Sequence, residues 1–381
     1  MIPVFRPSLD DEEWQALREP LMSGWVTIGP KVKEFEERFA EYIGAPHAVA
    51  LNSGTAAIHE ALRAMNVEGG EVITTSMTFI STNHCILYEN ATPVFADIEE
   101  DTLNIDPDSI EQLITPNTKA IIVVHYGGHA CDMDRILDMA RPHGIKVIED
   151  AAHAAGTLYK GRKVGSISDA TAFSFHAVKT MTTGDGGMVT FADDEIDARM
   201  RQLRWMGLSG DTWARSSGAA GSKYSWYYEA EEVGFKYYMN DIAAAIGLVQ
   251  LTKLDRMNAR RRELTQYYNR LFADVEQVRG PVEHDYTRSS NHNYVVKVPD
   301  RDNLIQYLRD HGVSSSVHYT PNHVYKMYKK YEAHVPVTER VAKEIVTLPL
   351  FPDMTDAQVE QVVETVRGFY ASKNATVAAT A

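Results

Sequence analysis

The stretch AIIVVHYGGHACDMDRILDMARPHGIKVIED, residues 120–150, holds the pattern that decides the fold. It opens on Ala120 to Val124, an unbroken apolar run of strand length, which is how a strand covered on both faces reads. Met133 to His143 follows as a helix, and Lys146 to Glu149 as the next strand. Strand, helix and strand in that order form a parallel crossover unit. The pattern repeats upstream. Lys31 to Tyr42 has helical spacing through Val32, Phe35, Phe39 and Tyr42, and Ala48 to Leu51 is a short strand. Thr55 to Met65 is a helix beginning just after Ser53-Gly54. Glu71 to Thr74 is a strand, Ser81 to Glu89 a helix, Pro93 to Asp97 a strand and Ile110 to Ile114 helical. Downstream, Thr171 to His176 is a strand running into a loop. The expected class is α/β, a mostly parallel sheet with helices on both faces. Such sheets bind ligands at the carboxyl ends of their strands, so functional residues belong just after each strand.

A long helix, Asp241 to Glu263, runs through AAAIGLVQL into Arg260-Arg261-Arg262. Beyond it the pattern changes. Asn293 to Val298 is a strand, Arg301 to His311 a helix and Ser314 to Val317 another strand. Thr355 to Tyr370 closes with Val359, Val362, Val363 and Val366 on one helical face. These elements predict a smaller C-terminal α+β domain, with the large domain over 1–254 and the small one over 255–381. The first ~20 residues are expected to pack on the small domain, an order-of-magnitude boundary in the sense that element ends are the least legible part of a sequence. Asn374 to Ala381, rich in Ala and Thr, reads as a frayed tail.

Composition narrows the function. With 381 residues, 44% hydrophobic and 24% charged, the chain is an ordinary globular one of more than one core. Its net charge of −14, without a basic stripe, argues against nucleic acid. Cys85 and Cys131 have neither pairing nor metal-ligand spacing and read as reduced, buried thiols, so no metal is expected. The opening MIPVFRPSLDDEEW lacks the pattern of a signal peptide, and no stretch approaches the ~20 apolar residues of a membrane span. The expectation is a cytoplasmic protein without a membrane partner.

Three segments at strand ends could carry chemistry. Asn52-Ser53-Gly54-Thr55-Ala56 joins a strand to a helix start; its free amides and the helix dipole make either a phosphate cradle or an ordinary N-cap at Ser53 or Thr55. Glu149-Asp150-Ala151-Ala152-His153 follows a buried strand, where a carboxylate needs a cationic partner unless it merely caps a surface helix. A protonated pyridine nitrogen is one such partner. Ser174 to Lys179, then Thr182-Thr183-Gly184-Asp185-Gly186-Gly187, places a lysine in a glycine-rich turn, where lost hydration can make it an amine nucleophile. A lone lysine is usually a solvated charge. The order of the three segments gives Lys179 its meaning.

Six ordered motifs carry a resemblance: SGWVTIGPKVKEFE (23–36), NSGTAA (52–57), MTFIST (77–82), EDAAHA (149–154), SFHAVKTMTTGDGGM (174–188) and MNDIAAAIGLVQL (239–251). The chain resembles the DegT/DnrJ/EryC1/StrS family of fold-type I, pyridoxal-phosphate (PLP) dependent sugar aminotransferases over nearly its whole length. That resemblance implies an enzyme moving an amino group from L-glutamate to a nucleotide-linked keto sugar, with pyridoxamine phosphate between the two halves. Lys179 would carry PLP as a Schiff base and move protons. Gly54, Thr55, Ala56 and Ser174 would hold its phosphate, Phe79 would stack on its ring, Asp150 would pair with the ring nitrogen, and His153 would bond the phenolic oxygen. His318, Tyr319 and His323 resemble the substrate loop. His176 is expected to be structural.

The resemblance also implies a homodimer with shared sites. Relatives read G-Y-N-Y-R-M where this chain reads Gly234-Phe235-Lys236-Tyr237-Tyr238-Met239, so Lys236 stands where an Asn reaches the partner's phosphate, with Asn240 as a rival. The aromatic segment KYSWYYE, Lys223 to Glu229, is either a dimer contact or a wall against the sugar. Two alternatives differ in chemistry. Sugar 3-dehydratases of the family carry histidine at the lysine position, against Lys179 here. A catalytically silent PLP-binding regulator would have lost Lys179 or Asp150.

Overall fold

The computed structural model describes residues 1–209 and 228–380, with side chains to residue 373. Residues 223–227 of the aromatic segment therefore lie outside the described residues. In chain order the strands are β1 (His47–Leu51), β2 (Glu71–Thr75), β3 (Thr92–Ala96), β4 (Thr118–Val124), β5 (Lys146–Asp150), β6 (Leu158–Tyr159), β7 (Arg162–Lys163), β8 (Ala170–Ser174), β9 (Gly187–Phe191), β10 (Thr287–Arg288), β11 (Tyr294–Lys297) and β12 (Ile345–Leu348).

Seven strands make the main sheet in the order β1-β9-β8-β5-β4-β2-β3. Neighbours from β8 through β3 pair in parallel, whereas β9 runs antiparallel to both β8 and β1. This is the mostly parallel α/β sheet expected, with one reversed strand. The strands are apolar and buried almost throughout, because helices cover both faces. On one face the helix Pro30–Ile43 buries Phe35 and Phe39 against Phe173 and Phe175, with centroids of 5.5 Å for Phe35–Phe175 and 5.1 Å for Phe39–Phe173. Side chains alternate along a strand, so burying Phe173 and Phe175 on this side turns Ser174 to the other. On the opposite face lie the helices Gly54–Ala64 and Asp194–Leu203, with Ile58, Leu62, Met200 and Leu203 in their core.

The long helix is Asp241–Phe272, nine residues beyond its expected end. Its first half contributes Ala244, Leu254 and Met257 to the sheet's core. Its second half contributes Leu264, Tyr268 and Phe272 to another core, with β11, β12 and Ile2. The N-terminal segment spans both. Ile2 bridges Val313, and the Val4 carbonyl accepts from Leu350 N–H at 3.0 Å. The short helix Asp11–Ala16 sets Glu13 against Lys253 at 2.9 Å.

Two expectations change. Ser314 to Val317 is not a strand: Val313 and Ser316 make single bridges, to Ile2 and Thr347, before the chain turns away. The last helix, Asp356–Thr380, continues through the residues expected to fray. Both cysteines are free and buried. Among the described residues no helix is long and apolar enough to cross a membrane.

Candidate active site

Where the parallel strands end, a cavity of about 530 Å³ opens. The turn after β1 forms one lip. Ser53 caps the helix Gly54–Ala64, its Oγ accepting the Ala56 N–H at 3.1 Å. A Cβ on Gly54 would stand 2.7 Å from Ser174 Cβ, so only glycine lets the end of β8 come this close. A Cβ on Gly187, at the start of β9, would stand 2.3 Å from the Ser53 carbonyl oxygen.

Asp150 closes β5 at 4% exposure. Its Oδ2 accepts from Thr82 Oγ1 at 2.7 Å and its Oδ1 from the Ala152 N–H at 3.1 Å. Burial pushes this carboxyl above its ordinary pKa, against the pull of both hydrogen bonds. Behind the strand, the other carboxylate, Glu149, accepts from His125, Ser168 and Thr171. Consecutive carboxylates thus face opposite ways, and of these two it is Asp150 that lines the cavity.

Lys179 stands in the loop after β8, its N–H bonded to the His176 carbonyl at 2.9 Å. Burial brings its amine down to about 8, with Asp150 opposing. A minor but reactive fraction of the side chain, about a tenth at pH 7, is then a neutral nucleophile. His153 is buried; its Nε2 lies 3.0 Å from Tyr319 Oη, and its Nδ1 has no partner among the described residues. Burial first, then the nearby Lys179 and His318, keeps the imidazole neutral. Phe79 is 57% exposed, its ring 6.2 Å from that of Tyr319. His318 is held by Thr347 Oγ1 at 2.8 Å and pushed down to about 4 by burial.

Nine residues singled out in the sequence line this one cavity: Gly54, Thr55, Phe79, Asp150, His153, Ser174, Lys179, His318 and Tyr319. His176 lines it as well, at its exposed edge. Ala56, Lys236 and His323 do not. The Ala56 amide is spent on Ser53. Lys236 is exposed, held through its backbone by Trp205 and Asn52. Asn240 caps the long helix, accepting from Ala243 N–H at 2.9 Å. His323 bonds Ser76 Oγ at 3.0 Å and braces the loop instead. Sequence reasoning gave no role to Thr82, to Thr78 at 2.9 Å from it, or to Asn322, which bonds Asn83 at 2.7 Å and docks the 318–325 loop. MTFIST contains both threonines, but nothing local says where their hydroxyls point.

The fit to PLP can be judged on these groups. A flat aromatic ring finds an exposed phenyl face, its nitrogen a buried carboxylate short of a cation, its phenolic oxygen an imidazole nitrogen without a partner among the described residues, and its aldehyde an amine whose pKa burial has lowered. The residues fit. Fold and cavity together define the fold-type I class of PLP-dependent transferases.

The chain belongs to the DegT/DnrJ/EryC1/StrS aminotransferase family, which it matches over residues 7–367. It is 46% identical to the spore coat polysaccharide biosynthesis protein SpsC of Bacillus subtilis, over 96% of each chain. The PMP-form structure of a sugar aminotransferase, Spr1654 of Streptococcus pneumoniae, superposes with a TM-score of 0.90 at 34% identity, covering 96% of this chain and 98% of that one. Helicobacter pylori PseC, an aminotransferase involved in the biosynthesis of pseudoaminic acid, gives 0.90 at 30% identity, covering 97% and 99%.

Proposed function

We propose that this aminotransferase moves the amino group of L-glutamate onto a nucleotide-linked keto sugar, in the cytoplasm, for a surface polysaccharide or glycosylated metabolite. The observation that carries this reading is Lys179 and Asp150 on one cavity, the first an amine lowered by burial and the second a buried carboxylate. Bound PLP supplies the electron sink that makes the amino acid's α-hydrogen acidic.

The chain's own residues do the rest. Lys179 would hold the cofactor through its amine, and that amine would take and return the proton at the substrate carbon. Asp150, held by Thr82 and Ala152, stabilises the positive ring nitrogen. His153 offers Nδ1 to the phenolic oxygen, Tyr319 holding the other side of its ring. The amides of Gly54 and Thr55, at the positive end of their helix, and Ser174 take the phosphate. Phe79 covers the ring. His318 and Tyr319 face the substrate.

Lysine at 179, where the sugar dehydratases of the family carry histidine, favours transfer over dehydration. The same reading divides the chain inside the long helix into a cofactor domain and a smaller C-terminal one. It also makes the active unit a homodimer.

Purified protein is to be loaded with PLP and its visible absorption followed as L-glutamate is added. A yellow band that bleaches, with formation of 2-oxoglutarate, supports the donor half-reaction. A panel of nucleotide keto sugars then identifies the acceptor by return of the band. A band untouched by glutamate refutes the donor; no band with added PLP refutes the whole reading.

A further inference from the structure

Gln250, Asn258 and Arg261 are polar residues of the long helix, yet they are only 1%, 1% and 4% exposed. Their spacing brings them onto one side of the helix, the side on which Leu254 and Met257 enter the sheet's core. Buried polar side chains need partners, and all three take theirs from backbone that carries the active site. Gln250 Oε1 accepts the Thr182 N–H at 3.2 Å. Arg261 Nη1 donates to the Thr180 carbonyl at 3.2 Å. Asn258 Nδ2 donates to the Ala155 carbonyl at 2.9 Å. Thr180 and Thr182 lie in the loop of Lys179, and Ala155 on the segment that leaves Asp150 and His153. One stripe of one helix thus grips both segments. The fit is close: Gly156 has φ +85, and a Cβ there would stand 2.6 Å from Asn258 Nδ2. The other side of Gln250 is used too, its Nε2 donating to the Ser8 carbonyl at 2.8 Å.

Arg261 is the least expected of the three. Burial pulls its guanidinium down to about 10, with Asp353 opposing, and no carboxylate pairs with it among the described residues. A buried cation without an ion pair works against the fold, so stability alone would favour an apolar residue here. Its shorter hydrogen bond goes to the Lys179 loop, with Asn258 Oδ1 behind it at 3.4 Å. Lys179 stands on a loop, so any displacement of that backbone passes to its amine. Misplacing a reacting group by ~1 Å can slow a step about 100-fold. We propose that Gln250, Asn258 and Arg261 are positioning residues, a brace from one helix that fixes where the Lys179 amine stands relative to Asp150. The proposal rests on the reading of Lys179 as the reacting amine; none of the three residues lines its cavity.

The test compares three variants of the full-length protein. Arg261→Met keeps the side chain's length and removes the donor, Arg261→Lys keeps a cation that can reach the same carbonyl, and Gln250→Met removes the acceptor for Thr182. With PLP bound, the maximum rate of bleaching by glutamate should fall about 10- to 100-fold in both methionine variants, at unchanged half-saturating glutamate. Arg261→Lys should recover most of the rate. A second readout needs no cofactor. In PLP-free protein the pH midpoint for acylation of Lys179, about 8 in the wild type, should rise by at least about one pH unit in both methionine variants, as a loosened loop lets water reach the ammonium. A merely structural brace would lower the melting temperature and leave that midpoint in place. If Arg261→Met does not fold, Gln250→Met decides by the same two readings. A midpoint that stays near 8 in the folded methionine variants overturns the proposal, as does bleaching at the wild-type rate. Wild-type protein that forms no band with PLP refutes the proposed function instead, and the labelling still decides this inference.

Discussion

Lys179 draws its chemistry from what surrounds it. The ordinary lysine value lies near 10.5, and here burial brings the amine to about 8. Neutral amine is the reactive form, so labelling of Lys179 by an acylating reagent in the PLP-free protein should climb with pH around a midpoint of about 8. Peptide mapping by mass spectrometry reads this directly; a midpoint near 10.5 contradicts the buried setting. Thr82 gives a second check. Its hydroxyl donates to Asp150 at 2.7 Å, and a hydrogen bond to a charged group contributes roughly 1.5–3 kcal/mol. Thr82→Val should slow the glutamate half-reaction about 10- to 100-fold, and Thr82→Ser should restore most of it. Stopped-flow absorbance measures both. Asp150 and Lys179 were legible in the sequence because one closes a strand and the other stands in the loop after one. Thr82 was not, since its partner lies 68 residues on and only the packing of the helix Ile80–Tyr88 joins them.

At the scale of elements, the packing of the long helix on Pro30–Ile43 makes a sharp prediction. Gly247 lies inside the long helix, where alanine would ordinarily be favoured by about 1 kcal/mol. Its missing side chain is filled by Phe35: a Cβ there would stand 2.7 Å from the ring's Cζ. Phe35 is fully buried among Phe39 and Phe175 and has nowhere to move. Overpacking of this kind costs about 1–3 kcal/mol, so Gly247→Ala should lower thermal stability despite its better propensity. Calorimetry settles the sign. Most elements of the sheet were legible from apolar runs. Among the strands longer than two residues, two were not: β9 enters from a glycine-rich loop that reads as turn, and β12 is a four-residue pairing visible only beside β11. Its single-bridge neighbour at Ser316 shows the reverse error, a strand-like run with too little edge to pair.

For the whole molecule, light scattering of the PLP-loaded protein should return twice the chain mass of 42.7 kDa, the homodimer proposed above. A monomer that still bleaches with glutamate would remove the need for shared sites. The fold class was readable because a parallel sheet writes itself as alternating runs; the direction of a single strand leaves no such trace. That reversed strand carries a consequence for how the sequence can change over time. Every parallel strand brings its end to the cofactor side, but β9 brings its beginning, squeezed between Leu51 of β1 and Ser174 of β8. At Gly187 one added methyl group would overlap the Ser53 carbonyl. A saturation mutagenesis library selected for function should therefore tolerate variety through the apolar interior of β9 and admit almost none at its first residue, a site of inheritance fixed by the space a side chain must not fill.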